Sequence, residues 1–342
     1  MSLWWALPVL AALALAILAT DAVRGLASRL GIVDAPNKER KIHDRAVPLA
    51  GGVAVYLAFT VPTLAVLLFS DHFTKGEMGA GEFAGLLVGG LILLVGGVLD
   101  DRYDLPPRAT VWFPVAAALV ATLAGIGVTK LTNPFADAPI VLAPAVTGVF
   151  TFLWLLTTTY TTKLLDGLDG LVGSIGLTAT LVITGLALST AFFQPDVALL
   201  AGIAAAALLG FLLWNWYPAR IFLGEGGSTF VGFLVGVLAV ISGGKVATAL
   251  LVLGIPALDI VFVVIRRLRQ GRNPFTSADR EHLHHLLLRR GLSQRTVVLL
   301  YAGAAALFGV STFLLTSWQK IVALAILGAA ALLGVIRLSR TH

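Results

Sequence analysis

Cysteine is absent from this sequence, which excludes a disulfide framework, a Cys-ligated metal and a thiol nucleophile. Charge is scarce as well. Only 12% of the 342 residues are Asp, Glu, Lys or Arg, whereas 58% are hydrophobic and the mean hydropathy is +0.93. A soluble domain of this length could not bury that balance, but several bilayer spans would expose it to lipid. No internal repeat, low-complexity tract or separate soluble domain interrupts the pattern. Matched Gly/Pro-broken halves, the hint of a secondary transporter, are not evident.

A bilayer span needs roughly 20 mostly apolar residues. Eleven such stretches can be counted, at about 3–20, 48–70, 83–99, 110–128, 139–157, 171–192, 197–214, 228–243, 246–265, 297–316 and 319–337. The expected fold is an all-α polytopic membrane protein forming one domain over 1–342. The first stretch has no basic residue before it (Met1, Ser2, Leu3, Trp4, Trp5) and has Arg24 and Arg29 after it. That reads as an anchor with its N-terminus outside, not as a cleaved signal peptide. Threading the remaining stretches leaves the C-terminus in the cytoplasm and puts 20 of the 24 basic residues there, with only Lys75, Lys130, Lys245 and Lys320 outside. Such asymmetry sets membrane topology, and it accounts for the net charge of +6 without a nucleic-acid partner.

Carboxylates share the bias, 13 of 18 falling on the cytoplasmic side, and they gather at span ends. Asp100-Asp101-Arg102-Tyr103-Asp104 follows an apolar run ending at Leu99. Adjacent Asp side chains repel, so a metal or a cationic partner is expected nearby. In Leu165-Asp166-Gly167-Leu168-Asp169-Gly170, carboxylates three apart are expected to share a helix face while the glycines permit close backbone approach. Phe222-Leu223-Gly224-Glu225-Gly226-Gly227-Ser228 is a Gly-rich turn entering a span. It could offer backbone N–H groups and a helix N-terminus to phosphate, or simply let helices pack closely.

The largest cytoplasmic loop, about 266–296, holds the turn signal Asn273-Pro274-Phe275 and then His282, His284 and His285 among Arg280, Arg289 and Arg290. This set suits anionic phosphates or a nucleotide, a solvated basic face being the plain alternative. Near the N-terminus, Lys41, His43 and Arg45 precede Pro48-Leu49-Ala50-Gly51-Gly52. They suit a lipid phosphate arriving at the membrane surface, or contact with anionic lipid. Asp259 lies roughly 10 Å into the ninth stretch from Arg266, at about 1.5 Å per residue. An intramembrane carboxylate is by default a functional candidate, and pairing with a snorkelling Arg serves equally.

Together these segments resemble the polyprenyl-phosphate N-acetylhexosamine 1-phosphate transferases of glycosyltransferase family 4, the WecA/TagO type more than the MraY type. The resemblance covers nearly the whole chain. It rests on Asp34-x-Pro36 with Arg40-Lys41-x-His43 and Pro48-x-x-Gly51-Gly52, on Asp100-Asp101-x-x-Asp104, and on Leu165-Asp166-Gly167-Leu168-Asp169-Gly170. It continues through Asn215-x-x-Pro218-Ala219-x-x-Phe222-x-Gly224 and through Asn273-Pro274-Phe275 with Asp279-Arg280-x-His282-x-His284-His285.

The resemblance implies attack by polyprenyl phosphate on the β-phosphorus of a UDP-N-acetylhexosamine, with UMP leaving and Mg²⁺, or Mn²⁺ in its place, neutralising the pyrophosphate. It implies the first membrane step of a cell-envelope glycan, performed at the cytoplasmic face, and allows a homodimer. Asp100 would be base or lipid-phosphate organiser, and Asp101, Asp166 and Asp169 would organise metal and pyrophosphate. Asn215 and Phe222 would line the uridine site, Arg280, His282, His284 and His285 would hold nucleotide phosphates, and Lys41, His43 and Arg45 would meet the lipid phosphate. The metal contacts would be Glu225, Asp101 and Asp166.

Two positions depart from the family pattern. Lys163 stands where the family has Asn, three residues before the Asp166-Gly167 pair, and Glu225 stands where it has Asp. Glu keeps a hard oxygen donor, but a protonated ammonium cannot ligate a cation and would repel it. Lys163 and Glu225 are therefore expected to form an ion pair that displaces or weakens the metal. The competing expectation is a family member that binds lipid phosphate or nucleotide without ordinary turnover.

Overall fold

A computed structural model describes residues 5–34, 46–73, 78–131, 133, 138–190, 192–243, 246–254, 256–259, 263, 267, 271, 282–316, 318–326 and 328–329. Apolar runs become helices because a chain in lipid has no water to satisfy its backbone, so each peptide group must bond within its own segment. The helices in chain order are α1 (Ala6–Leu30), α2 (Gly51–Phe69), α3 (Ala80–Tyr103), α4 (Pro107–Thr110), α5 (Trp112–Leu123) and α6 (Pro144–Leu165). They continue as α7 (Leu171–Leu188), α8 (Pro195–Asn215), α9 (Gly224–Ile241), α10 (Val246–Val252), α11 (Leu283–Arg289) and α12 (Gln294–Leu314).

Two antiparallel ladders of two-residue strands depart from a purely helical expectation. They pair β1 (Val33–Asp34) with β2 (Val47–Pro48), and β3 (Lys130–Leu131) with β4 (Ile140–Val141). Each ladder satisfies backbone groups in a connection between helices.

Seven described helices, α1, α2, α3, α7, α8, α9 and α12, are long and apolar enough to cross a membrane. The chain is thus a nearly all-α, multi-pass membrane protein. Four of the eleven expected stretches behave differently. The one at 110–128 is taken up by α4 and α5, which together are short for a span. Helix α6 has the length, but Thr157, Thr158, Thr159, Thr161, Thr162 and Lys163 dilute its second half. The stretches at 246–265 and 319–337 include residues outside the described set.

Helix α9 is the hub: 89% of its most apolar window is buried, against 28% for α1. Around it stand α2, α3, α6, α7, α8 and α10, while α1 packs on α2 and α8 and α12 packs on α7 and α10. Leu10, Leu18, Phe69, Leu123, Leu213 and Leu314 stay exposed on the outer faces, as residues facing lipid do. Inside, several polar groups pair across helices. Tyr56 of α2 donates to the Leu87 carbonyl of α3 at 2.8 Å, and Trp154 of α6 donates to the Gly236 carbonyl of α9 at 3.0 Å. The threonines of α6 return their hydroxyls to carbonyls one turn back, as Thr161 does to Thr157 at 2.7 Å.

Two glycine pairs let α9 come close enough to matter for the site. A Cβ on Gly97 of α3 would run into the backbone of Gly226, and one on Gly52 of α2 into the backbone of Gly227. Both contacts lie in the first turn of α9, so three helices converge there backbone to backbone.

Candidate active site

Helix α3 does not stop at Leu99, where its apolar run ends; it carries Asp100 and Asp101 in its last turn, and Asp104 closes it in a left-handed conformation with φ 50°. Asp100 accepts the Leu105 N–H at 2.9 Å and so folds the chain back after the helix. Asp101 accepts the Glu225 N–H with both carboxylate oxygens at 3.2 Å. The N-terminus of α9, read from sequence as a possible phosphate cradle, thus has one of its N–H groups engaged by a carboxylate from another helix.

From the opposite side, α6 delivers Lys163 in its last turn. Its ammonium pairs with the Glu225 carboxylate and stands 5.9 Å from the centre of the Tyr160 ring. Both partners are largely enclosed, with side chains 24% and 23% exposed. The pairing expected of these two substituted positions is therefore what the chain forms.

Asp166 and Asp169 do not share a helix face. Asp166 ends α6, residues 166–170 form a turn, and Gly170 enters α7 with φ +78°. A left-handed residue at that point breaks the helical run, and glycine adopts it without steric cost. Asp169 accepts the Ala219 N–H at 2.9 Å. Asn215, buried at the end of α8, accepts from the Gly170 N–H at 3.0 Å and donates to the Ile221 carbonyl at 2.9 Å. Both ends of the Asn215 amide thus bind backbone, strapping the 166–170 turn to the 217–223 loop. Phe222 is half-buried, and its N–H and C=O pair with the Pro48 carbonyl and the Gly51 N–H, each at 2.9 Å.

The Asp166 carboxyl is pushed up to about 7, first by the protein packed around it and then by the Glu225 and Asp101 carboxylates, with Ser228 hydrogen bonding opposing. The residue nonetheless keeps an exposed face, so water reaches the carboxyl.

Arg266, the arginine from which the depth of Asp259 is reckoned, lies outside the described residues, and the contacts of Asp259 run to the start of α11. Only 3% exposed, Asp259 accepts the Leu283 N–H at 2.7 Å, capping α11, and faces Nδ1 of His282 at 3.2 Å. His282 stacks on His284 with ring centres 5.5 Å apart, and His284 packs against His285 at 4.2 Å. His284 is 1% exposed and its Nδ1 has no hydrogen-bond partner among the described residues. Burial first, then His285 and His282, hold its pKa well below the usual imidazole value. Its Nε2 lies against Gly167, where a side chain would collide with it. His284 is thereby docked on the 166–170 turn, with His282 and His285 packed against it.

The structure thus gathers Asp100, Asp101, Lys163, Asp166, Asp169, Asn215, Phe222, Glu225, His282, His284 and His285 around one end of the bundle. Lys41, His43, Arg45, Arg280, Asp279 and the Asn273–Phe275 turn lie outside the described residues. Tyr160, the link from Asp259 to His282, and the backbone bond to Ala219 were not foreseen. Only the aromatic one turn before Lys163 offered a signal, since the other two depend on tertiary approach.

Two of the three donors expected for Mg²⁺ are already engaged by other groups. Glu225 is engaged by an ammonium and Asp101 by a backbone N–H. No three His, Asp or Glu side chains among the described residues group as a metal site, whereas Mg²⁺ demands near-octahedral oxygens at about 2.0–2.1 Å.

The profile of glycosyl transferase family 4 matches residues 83–243, the segment carrying the aspartates, Lys163, Asn215 and Glu225. A probable undecaprenyl-phosphate N-acetylglucosaminyl 1-phosphate transferase of Bacillus subtilis is 31% identical over 88% of this chain and 82% of its own length. The chain belongs to glycosyl transferase family 4. Another relative at the same level is a decaprenyl-phosphate N-acetylglucosaminephosphotransferase of Mycolicibacterium smegmatis, 31% identical over 93% of this chain and 84% of the relative. An undecaprenyl-phosphate alpha-N-acetylglucosaminyl 1-phosphate transferase of Escherichia coli K12 is 31% identical over 83% and 76%. As a family 4 member this chain is a transferase, and the end of the bundle where its carboxylates meet is its candidate active site.

Proposed function

We propose that this family 4 enzyme transfers N-acetylhexosamine 1-phosphate, most simply the N-acetylglucosamine form named in its relatives, from a UDP-sugar to polyprenyl phosphate. The reaction opens the membrane phase of a cell-envelope glycan and takes place on the cytoplasmic face of an eleven-span fold whose N-terminus is outside. The observation that carries this reading is the junction of three helix ends at Glu225, whose N–H is held by Asp101 and whose carboxylate is held by Lys163. Carboxylates, one ammonium and docked histidines meet there at the end of an apolar bundle, where a lipid phosphate and a soluble nucleotide can both arrive.

In the transfer, an oxygen of the lipid phosphate forms a bond to the β-phosphorus while the bond from that phosphorus to the oxygen bridging to the α-phosphate breaks. UMP leaves with the electron pair. A phosphate monoester with second pKa near 6 is largely dianionic at pH 7, so it needs orientation more than deprotonation. Asp100 orients the acceptor from the mouth of the cluster. The 166–170 turn, strapped by Asn215 and Asp169, sets the walls, and His282, fixed by Asp259 through Nδ1, presents Nε2 on its opposite side. Charge stabilisation of this kind supplies most of what phosphoryl transfer asks of a protein.

Purified full-length protein given polyprenyl phosphate and radiolabelled UDP-N-acetylglucosamine should yield a labelled lipid and stoichiometric UMP. Absence of labelled lipid and of UMP exchange with every UDP-N-acetylhexosamine, at every divalent-cation concentration, would overturn the reading.

A further inference from the structure

The disagreement between the donor set and a divalent cation has a specific form. Lys163 and Glu225 meet across the junction of α6 and α9. Asp101 holds the N–H of the same Glu225, and Asp100 precedes it on α3. Asp166 lies three residues beyond Lys163, one helical turn along the same chain end. The ammonium therefore stands where carboxylates from α3, α6 and α9 converge, paired with Glu225 and 5.9 Å from the centre of the Tyr160 ring. An ammonium carries three N–H donors; one satisfies Glu225, and two remain for oxygens of an incoming pyrophosphate.

Resting on the transferase reading above, we infer that Lys163 is a tethered counter-cation that takes over charge compensation at the transfer site, so that this enzyme works with little or no bound divalent metal. The length of both side chains fits the role. Asn at position 163 could not bring a charge to Glu225, and Asp at 225 would be one methylene short of the ammonium that it now meets. A positive charge held within the protein also costs the substrate no ion recruited from solution, and it fixes the compensating charge relative to Asp101 and Asp166.

The test combines turnover with direct metal binding on the detergent-solubilised full chain. UMP formation is measured in excess EDTA and in millimolar Mg²⁺, and Mn²⁺ binding is followed by electron paramagnetic resonance for the wild type, Lys163→Asn, Glu225→Asp and the double variant. The expected wild-type result is activity in EDTA within about threefold of that in Mg²⁺, and Mn²⁺ binding at least about tenfold weaker than in the double variant. Lys163→Asn should lose activity in EDTA, and the double variant should recover it only with Mg²⁺.

Wild-type turnover that vanishes in EDTA, together with Mn²⁺ binding as tight as in the double variant, would overturn the inference and leave the transferase reading standing. No turnover in any variant under any condition would instead overturn the transferase reading. The wild-type resonance measurement still decides the metal question if a variant fails to fold.

Discussion

Asp101 accepts the backbone N–H of Glu225 with both carboxylate oxygens at 3.2 Å, across 124 residues of sequence. A capping carboxylate usually comes from the residue just before the helix; here α3 supplies it to α9. The bond satisfies an N–H that the helix cannot pair and sets a negative charge at the positive end of the helix dipole. Asp101→Ala should lower stability in detergent by about 1–2 kcal/mol, the usual cost of a lost cap. Asp101→Asn keeps an acceptor oxygen and should cost less in stability, while UMP formation falls by about a hundredfold because the charge at the junction is gone. Thermal melts and turnover on the same preparations check both halves. Equal losses of stability in the two variants would show that the bond, and not its charge, is what matters.

The close approach of α3 to α9 makes a separate prediction. A methyl group at Gly97 would meet the backbone of Gly226, which cannot move aside as a flexible side chain could. Gly97→Ala should destabilise the bundle by about 1–3 kcal/mol and weaken turnover, since it pushes Asp101 away from Glu225. Gly303, inside α12, has nothing within 4 Å of the position that an added methyl group would take. Gly303→Ala should leave the melting temperature unchanged or slightly raised, because alanine favours the helix by about 0.5–1 kcal/mol. Equal effects at the two sites would refute the packing argument.

Much of this architecture is legible in the sequence. Long apolar runs fixed most of the helices, and the motifs at Asp101, Asp169 and Glu225 were recognisable as one site because all three fell on the same expected side of the membrane. Lys163 and Glu225 stood out as a pair and are a pair. What the sequence concealed follows from contacts between distant segments. Periodicity cannot show that α6 runs on to Leu165 past its threonines, because those hydroxyls bond back to the helix and remove their own polar cost. The spacing of Asp166 and Asp169 suits a helix as well as it suits the turn that Gly170 makes. Asp259 read as a functional candidate or as the partner of a snorkelling Arg, and its contacts with His282 and Leu283, 23 and 24 residues away, could not be seen in the sequence.

The Asp259 link is testable because one substitution separates its bond to the Leu283 N–H from its contact with His282. Asn at 259 can still accept the Leu283 N–H and keep α11 capped, but it no longer places a carboxylate against Nδ1 of His282. Asp259→Asn should therefore fold with nearly wild-type stability and lose about tenfold or more in kcat, with a smaller change in KM, as is typical when a carboxylate that orients a histidine is removed. Asp259→Ala should lose both contacts and melt at lower temperature. Steady-state kinetics on Asp259→Asn settle the matter: unchanged kcat would mean that the carboxylate caps a helix and nothing more.

Asp166 gives the protein a pH dependence whose sign can be worked out. Its folded-state pKa is raised to about 7, above the value near 3.9 of an Asp in an unfolded chain. Below about pH 4 the group is protonated in both states and its contribution to stability is fully present. As pH climbs from there toward 7, the unfolded chain ionises first, so folding loses that contribution step by step, and above 7 the loss is complete. Asp166→Asn has no proton to lose. In EDTA-containing detergent, the melting temperature of Asp166→Asn relative to the wild type should therefore rise between pH 4 and pH 7 and level off above. The exposed face of Asp166 makes the gap smaller than full burial would, without changing its direction. A gap that stays constant across that range, or narrows, would show that the neighbouring Glu225 and Asp101 carboxylates do not hold Asp166 toward its neutral form.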